Sequence, residues 1–382
     1  MKFLISGGGI CGLMMAIILE KKGYDVAVYE AATEIKAVGA GLVLSTNAIK
    51  ALKHIGIEKA VLAKANLLDH FDVVLANGEI LMATDAKKLS KRYDTIGNAT
   101  IHRADLHQIL LNLLKDKVIF YTGKRGAKVQ QTNNGVTLTF EDGTSANGDY
   151  LIACDGINSA IRQQLLPKAL PRFAGYTCWR AVVQHEGQFK DKYATETWGK
   201  NGRFGVVPLR DNRTYWFACL NTPHARDPKM KAFRVADLTA YFKDYHAPIP
   251  QLLALTTEKD LLWNDIEDIR PLQQLAFNRI LLTGDAGHAT TPNMGQGACQ
   301  AIEDAAVLTN CLNQNETIVQ DFKAFEKIRL PRTTKIINTS WTIGKLAQLT
   351  NPLLTTFRNF ALKMTPKSIN EKQMDYLFDV EF

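Results

Sequence analysis

Lys2-Phe3-Leu4-Ile5-Ser6-Gly7-Gly8-Gly9-Ile10-Cys11-Gly12 opens the chain, and Glu30 closes the segment that follows. Residues 2–6 are a short apolar run rich in β-formers, residues 13–22 read as a helix closed by Gly23, and residues 24–29 form a second apolar run. The pattern is a βαβ unit whose glycines fall where the chain must turn tightly, approach a pyrophosphate and pack helix on strand. The helix N-terminus presents unpaired N–H groups to phosphate, and Glu30, followed by Ala31, stands where an acid accepts from a ribose hydroxyl. Gly7, Gly9, Cys11, Gly12, Glu30 and Ala31 are therefore candidate contacts of a dinucleotide. An acid at the end of the second strand, rather than an arginine, favours an unphosphorylated ribose, so FAD or NAD is expected there in preference to NADP.

Working outward, 382 residues are enough for two domains with an ample core, and 46% hydrophobic against 22% charged residues is the balance of a soluble globular chain. No apolar stretch approaches the roughly 20 residues of a membrane span. Cys11, Cys154, Cys178, Cys219, Cys299 and Cys311 lie far apart without a C-x-x-C or Cys/His cluster, which gives no sign of a metal site or a disulfide framework and makes the cytoplasm the expected compartment. The net charge of +8 is scattered over expected helix faces and reads as a solvated surface, not as a nucleic-acid interface.

Beyond Glu30 a polar connection runs through Lys36 to Gly39-Ala40-Gly41, whose glycines suggest backbone held close to a ligand. Short helices are expected over 47–54 and 58–64, and a hairpin over 71–82 with Asn77-Gly78 at its turn. Arg103 opens a helix to about residue 114, a strand follows at 118–121, and residues 129–143 read as a second hairpin leading into a third strand. Residues 150–154 are a buried-looking strand ending in Asp155-Gly156, where Asp155 is either a ligand contact or the cap of a helix beginning near Asn158. From 174 to 269 the pattern becomes antiparallel, with strands at 178–184, 195–198, 204–208, 214–220 and 262–266 and helices at 235–245 and 251–256. Residues 279–283 return to the buried-strand pattern, and Gly284-Asp285 leads through Pro292-Asn293-Met294-Gly295-Gln296-Gly297 into a helix over 298–312. The rest reads as helical, with a stop at Pro352. The expected fold class is α/β: a Rossmann-type dinucleotide-binding domain from residues 1–173 and 270–340, which a family resemblance makes an FAD-binding domain (GR2-like), an inserted antiparallel-sheet substrate domain over 174–269, and a helical C-terminal segment over 341–382.

Three separated motifs, residues 7–12 with Glu30, then Asp155-Gly156, then Gly284-Asp285 with the 292–297 run, resemble in order and spacing the FAD-dependent aromatic hydroxylases, the para-hydroxybenzoate hydroxylase-like flavoprotein monooxygenases. The likeness spans residues 1 to about 340. Gly175-Tyr176, Trp179-Arg180 and the run from Pro292 to Ala305 are most similar to the urate hydroxylase-like and zeaxanthin epoxidase-like members.

The resemblance implies that NAD(P)H reduces FAD, that oxygen adds at the flavin C4a, and that the hydroperoxide passes one oxygen atom to an electron-rich aromatic, heteroaromatic or unsaturated substrate. It assigns FAD contacts to Arg103, Asp155, Asp285, Pro292, Gly295, Gln296, Gly297 and Ala298. Physical chemistry agrees for the last group, since a positive helix end beside the pyrimidine edge stabilises the negative charge of reduced flavin. The urate-type pattern places Arg203 and Tyr215 at the substrate face as the residues that bind and orient, with Asn293 and Phe217 also lining it and Phe204 and Trp216 adding apolar walls. Arg203 is expected to bind a carboxylate or an enolate. One departure stands out: Asn293 occupies a position where the urate-type enzyme has Asp, and Asn is neither acid nor base, which turns the expectation away from urate itself.

A nicotinamide-dependent dehydrogenase shares the first thirty residues but has no use for the Asp285 and 295–297 apparatus. A flavin-dependent halogenase carries a W-x-W-x-I-P signature that is missing here. A non-enzymatic FAD-bound scaffold or sensor is the remaining alternative. Residues 341–382, with Arg358, Lys363 and Lys367, are expected to pack on the body or on a partner subunit rather than on a membrane. The expected partners are a small molecule and O2, with the chain a monomer or homodimer.

Overall fold

The computed structural model describes residues 1–35, 40–115 and 117–382; Lys36, Gly39 and the side chain of Lys367 lie outside the described residues. Strands Lys2–Ser6, Asp25–Tyr29 and Val118–Tyr121 run parallel on one side of a six-stranded sheet, and Tyr150–Ala153 and Ile280–Leu282 continue it in parallel on the other, with Ala276–Phe277 antiparallel at the edge. Parallel strands are buried on both faces, and the burial of residues 3–6, 26–29 and 150–153 follows that rule. Helix Ile10–Lys21 is apolar all round, so it sits inside, between the sheet and helix Gly297–Cys311, with residues 10–19 all buried.

A second, seven-stranded sheet covers this body. Its order is Leu262–Ile269, Pro171–Gln184, Arg213–Asn221, Gly202–Leu209, Tyr193–Gly199, His70–Leu75 and Ile80–Asp85. The expected antiparallel block is therefore present but wider than residues 174–269. The hairpin over 70–85 joins it, because His70–Leu75 pairs in parallel with Tyr193–Gly199. No local signal in a hairpin tells which distant edge it will extend.

Alternation divides this roof sheet into two faces. Trp179, Ala181, Val183, Phe204, Val206, Trp216, Ala218 and Leu220 pack on helices Val235–Phe242 and Ile249–Leu255. Phe204 and Trp216 stack at 5.2 Å in that outer core, so they do not wall the site as expected. The register Tyr176↔Asn221, Cys178↔Cys219↔Arg203↔Trp198, Arg180↔Phe217↔Gly205↔Glu196 and Val182↔Tyr215↔Val207 builds the opposite, inward face.

The long helix Ile318–Ala347 carries Pro331 in its interior, and Pro352 starts a new helix, Pro352–Lys363, capped by Asn351, instead of merely ending one. That helix packs back through Arg358, whose Nη1 donates to Leu346 O at 3.0 Å and whose guanidinium lies over Trp198, while Leu353, Phe357, Phe360 and Met364 form an exposed stripe. No helix among the described residues is long and apolar enough to cross a membrane.

Candidate active site

The three motifs emerge from the same ends of neighbouring parallel strands, and they touch. Cys154 N–H donates to Ser6 O at 2.7 Å, Thr283 N–H to Ala153 O at 3.0 Å, and the Thr283 hydroxyl meets Cys154 Sγ at 3.1 Å and Cys11 Sγ at 3.4 Å. Cys11 thus faces the interior, and only its backbone is left for a dinucleotide. Gly7, at φ +102°, is fixed by crowding: a Cβ there would lie 2.3 Å from Cys154 O, and one on Gly12 would lie 1.9 Å from Gly7 O. Gly9 is different, because a Cβ there meets nothing within 4 Å, and the same holds at Gly156, Gly295 and Gly297. These four glycines border open space on one side of the three motifs, a cradle that a side chain would fill.

The two helix N-termini at this cradle are bare. Helix Ile10–Lys21 follows Gly9 and helix Gly297–Cys311 follows Gln296, both without a side-chain cap and without an acid in the first turn, so their N–H groups are available to an anion. Glu30 grips the glycine loop, accepting from Gly8 N–H at 2.7 Å and Ala32 N–H at 2.8 Å. His107, on helix Arg103–Asn112, bonds Gly8 O at 2.7 Å and ties that helix to the same loop. Arg103 starts this helix with an exposed guanidinium, and Asp285 is likewise exposed, neither having a side-chain partner among the described residues. Ser159 is the N-cap of helix Ala160–Leu165, accepting from Arg162 N–H at 2.9 Å, and the Asp155 carboxylate lies against the same helix start, at Ser159 and Ile161 N–H. Burial pushes the Asp155 carboxyl up, and its Oδ1 is buried without a partner. The set fits FAD: bare helix ends for pyrophosphate, Glu30 and Asp285 for ribose and ribityl hydroxyls, and open glycines where a flat ring passes close to backbone.

Sequence reading missed the buried scaffold beneath this cradle. Asp304 accepts from Gly284 N–H at 2.8 Å, His288 Nε2 at 2.7 Å and Arg329 Nε at 2.7 Å, which fixes the turn that presents Asp285. Arg329 also donates to Glu303 at 2.6 Å, and Arg332 joins Glu303 at 2.6 Å to the carbonyls of Tyr376 and Leu377. Burial raises both carboxyls, but Arg329 and Arg332 at Glu303, and His288 and Arg329 at Asp304, override it and hold both below the ordinary range. Gln296 Oε1 is turned into this network, accepting from Asn47 at 2.9 Å and Gln300 at 3.0 Å, while its Nε2 is buried without a partner among the described residues. Arg162 adds a second brace, reaching Asp285 O at 3.4 Å and Ala286 O at 3.3 Å. Two adjacent acids, Glu303 and Asp304, inside an otherwise apolar helix were the available signal.

Across the cradle stands the inward face of the roof sheet. Tyr176 Oη donates to Asn293 Oδ1 at 3.0 Å, and Asn293 Nδ2 in turn bonds Thr291 Oγ1 at 2.8 Å and Ser340 O at 2.9 Å. Asn293 is therefore a strut between roof, turn and long helix, with its amide committed to protein. The Phe217 ring covers Gly205 and the Tyr215 ring covers Gly41, positions where a Cβ would collide with those rings at 2.0 and 2.6 Å. Arg203 is 2% exposed, donates through Nη1 to Glu196 Oε1 at 3.0 Å and lies over the Tyr176 ring. Burial pushes the Tyr176 and Tyr215 hydroxyls up, so both stay protonated donors. A cavity of about 370 Å³ opens beside Tyr176, bounded by Gly175, Thr222, Gly344, Lys345 and Gln348.

A parallel sheet that gathers a glycine loop, two acids and two bare helix ends, roofed by an antiparallel sheet with a polar and aromatic inner face, defines a flavin-dependent oxidoreductase. Residues 1–340 match the FAD binding domain family. The aurachin C monooxygenase/isomerase of Stigmatella aurantiaca is 34% identical over 364 residues, 94% of this chain and 93% of that one. The FAD-dependent urate hydroxylase of Klebsiella pneumoniae is 33% identical over 351 residues, 88% of each chain. Klebsiella pneumoniae HpxO complexed with FAD and uric acid superposes with a TM-score of 0.90 at 30% identity, covering 99% of this chain and 97% of that one. The chain belongs to the FAD-dependent aromatic hydroxylase family, and it is an FAD-dependent monooxygenase. The relatives' activities support that reading over a dehydrogenase or a non-enzymatic scaffold.

Proposed function

We propose that the enzyme uses NADH or NADPH and O2 to hydroxylate a small aromatic or heteroaromatic ring held between the cofactor cradle and the inward face of the roof sheet. Residues 1–173 and 270–340 hold FAD in this reading, and the 174–269 block with the hairpin over 70–85 covers the substrate. FAD, once reduced by the nicotinamide nucleotide, supplies the activation of oxygen. The chain's own residues do the rest. Gly9, Glu30, Arg103, Asp155, Asp285, Gly295 and Gly297 hold the cofactor, while Tyr215 and Phe217 present apolar ring faces that exclude water. Tyr215 keeps its proton to donate to a ring oxygen, and Arg203 donates from further along the same face.

One observation carries this reading. Strand alternation puts Tyr176, Arg203, Tyr215 and Phe217 on one face, and the Tyr176 to Asn293 bond brings that face to the turn before the cofactor helix. Hydroxylation is favoured over epoxidation by relatives such as a urate hydroxylase and a 3-hydroxybenzoate 6-hydroxylase. Six free, buried thiols suit a reducing compartment, and we place the enzyme in the cytoplasm.

The test is coupling. Arg203→Ala and Tyr215→Phe are expected to keep FAD content and to release hydrogen peroxide in place of hydroxylated product, because a misplaced ring does not intercept the activated oxygen. Wild-type coupling in both variants, across a panel of phenols, aromatic acids and N-heterocycles, would put the substrate elsewhere.

A further inference from the structure

Arg203 enters the site with its charge already matched. Its side chain is 3% exposed, its Nη1 donates to Glu196 Oε1 at 3.0 Å, and the same oxygen accepts from Trp198 Nε1 at 2.9 Å. Burial by itself disfavours the charged guanidinium; Glu196 together with Cys219 and Tyr176 outweighs it, and the pKa of Arg203 moves up. Arg203 and Glu196 together are neutral. A lone buried guanidinium draws an anion, but one already paired gains little from a second carboxylate, which meets the field of Glu196 as well.

Arg203 still has an unmet requirement. Its Nε is buried and has no acceptor among the described residues. A buried donor of this kind asks for a lone pair, and a carbonyl oxygen supplies one without bringing charge. Arg180, the other arginine of this face, lies opposite Phe217, donates to the neutral Asn264 Oδ1 at 2.6 Å, likewise leaves its Nε buried without an acceptor among the described residues, and acts on the Tyr215 hydroxyl rather than beside Glu196. The unmatched positive charge of the face therefore belongs to Arg180, toward strand Leu262–Ile269, and not to Arg203. The remaining titratable neighbours of Arg203 are Tyr176, Cys219 and Cys178: Tyr176 is held neutral by burial and Cys219 by its contact with Cys178, while Cys219, Arg180 and Arg203 push the Cys178 thiol down.

We propose that Glu196 determines specificity: by neutralising Arg203 it selects a substrate whose polar group at that position is an uncharged acceptor, the ring carbonyl of an oxo-heteroaromatic such as a quinolone or pyridone, over an aromatic carboxylate. This rests on the reading that Arg203 and Tyr215 face the substrate.

The test uses the FAD-loaded enzyme and its Glu196→Gln variant. Glutamine keeps an oxygen for Arg203 and Trp198 and removes the charge. Neutral probes are 4-quinolone, its 2-alkyl derivatives and 2-pyridone; anionic probes are salicylate and 3-hydroxybenzoate. Dissociation constants come from the flavin absorbance change on titration, and KM and kcat from probe-stimulated NAD(P)H oxidation. The wild type is expected to prefer the neutral set. In Glu196→Gln the anionic set should gain about tenfold in affinity relative to the neutral set, through KM and not kcat, while Glu196→Asp, which keeps the charge, should retain the wild-type preference. An unchanged ratio in Glu196→Gln overturns the proposal, as does a wild type that prefers the carboxylates. Arg203→Gln separates the two layers. If it leaves binding of every probe unaltered, the substrate-face reading itself fails; if it weakens the neutral probes while Glu196→Gln leaves the ratio alone, only the role of Glu196 fails.

Discussion

Tyr176 Oη and Asn293 Oδ1 stand 3.0 Å apart, and this bond fastens the roof sheet to the turn that opens the cofactor helix. Asn293 keeps its bonds to Thr291 and Ser340 when the phenol is removed, so the turn survives Tyr176→Phe. The expected loss is about 0.5 to 1.5 kcal/mol of stability, the net worth of one hydrogen bond. FAD content should be unchanged, and peroxide released per NAD(P)H consumed should rise as the roof loosens over the cradle. Urea unfolding and a peroxide assay check the two halves separately.

Gly9 and Gly12 are expected to fail in different ways. A Cβ at Gly12 falls 1.9 Å from Gly7 O, so Gly12→Ala should reduce the yield of folded protein. A Cβ at Gly9 meets no protein atom within 4 Å, so Gly9→Ala should fold normally and lose only FAD affinity. Circular dichroism and FAD titration of the apoprotein make the comparison; equal FAD affinity in Gly9→Ala and wild type would mean that the cradle lies elsewhere.

Asp285 is exposed at the start of helix Asp285–His288, and the turn beneath it is held by Asp304 and Arg162 through backbone atoms. Asp285→Ala should therefore keep the fold and weaken FAD by about 1 to 3 kcal/mol, the range for a charge-assisted hydrogen bond. Full FAD affinity in a well-folded variant would remove Asp285 from the cofactor site.

Arg329, Glu303 and Asp304 are each no more than 1% exposed, and the arginine serves both acids. Arg329→Met leaves Glu303 to Arg332 and Asp304 to His288, and breaking such a buried pair costs about 3 to 5 kcal/mol. Acid should act in the same direction. Both carboxyls are held below their ordinary range in the folded chain, so the unfolded chain binds more protons as pH falls. Their stabilisation is whole above about pH 4.5, the upper end of ordinary carboxylate values, and drains away as pH drops toward the folded values. Urea midpoints measured from neutral pH downward should fall more steeply for wild type than for Asp304→Asn; parallel curves would show that this carboxyl does not contribute to acid sensitivity.

The parallel sheet and its three motifs were legible because each is local: an apolar run, a glycine turn and an acid read together within thirty residues. The strands of the roof sheet were legible too, but not their neighbours, since the pairing of His70–Leu75 with Tyr193–Gly199 depends on the whole sheet. Arg203, Tyr215 and Phe217 do share one face, while Phe204 and Trp216 fall on the other because strand side chains alternate. What escaped the sequence were partners far apart in the chain. Arg203 reads as a free cation until Glu196 is placed beside it, the bonds of Asn293 to Tyr176 and Ser340 join segments far apart in the chain, and nothing near Asp304 in sequence announces Arg329 as its partner.

Arg332 bonds Glu303 with one side of its guanidinium and the carbonyls of Tyr376 and Leu377 with the other. The acid that helps to stiffen helix Gly297–Cys311 is thus clamped from a segment that leaves the ribosome well after it. The glycine loop, made before both, can fold as a βαβ unit, but the charged interior behind Gly284 closes only when residues 376–377 arrive. A growing chain therefore passes through a stage with both acids and both arginines present and the clamp unmade, and the scaffold behind its flavin site closes only once residues 376–377 have been made.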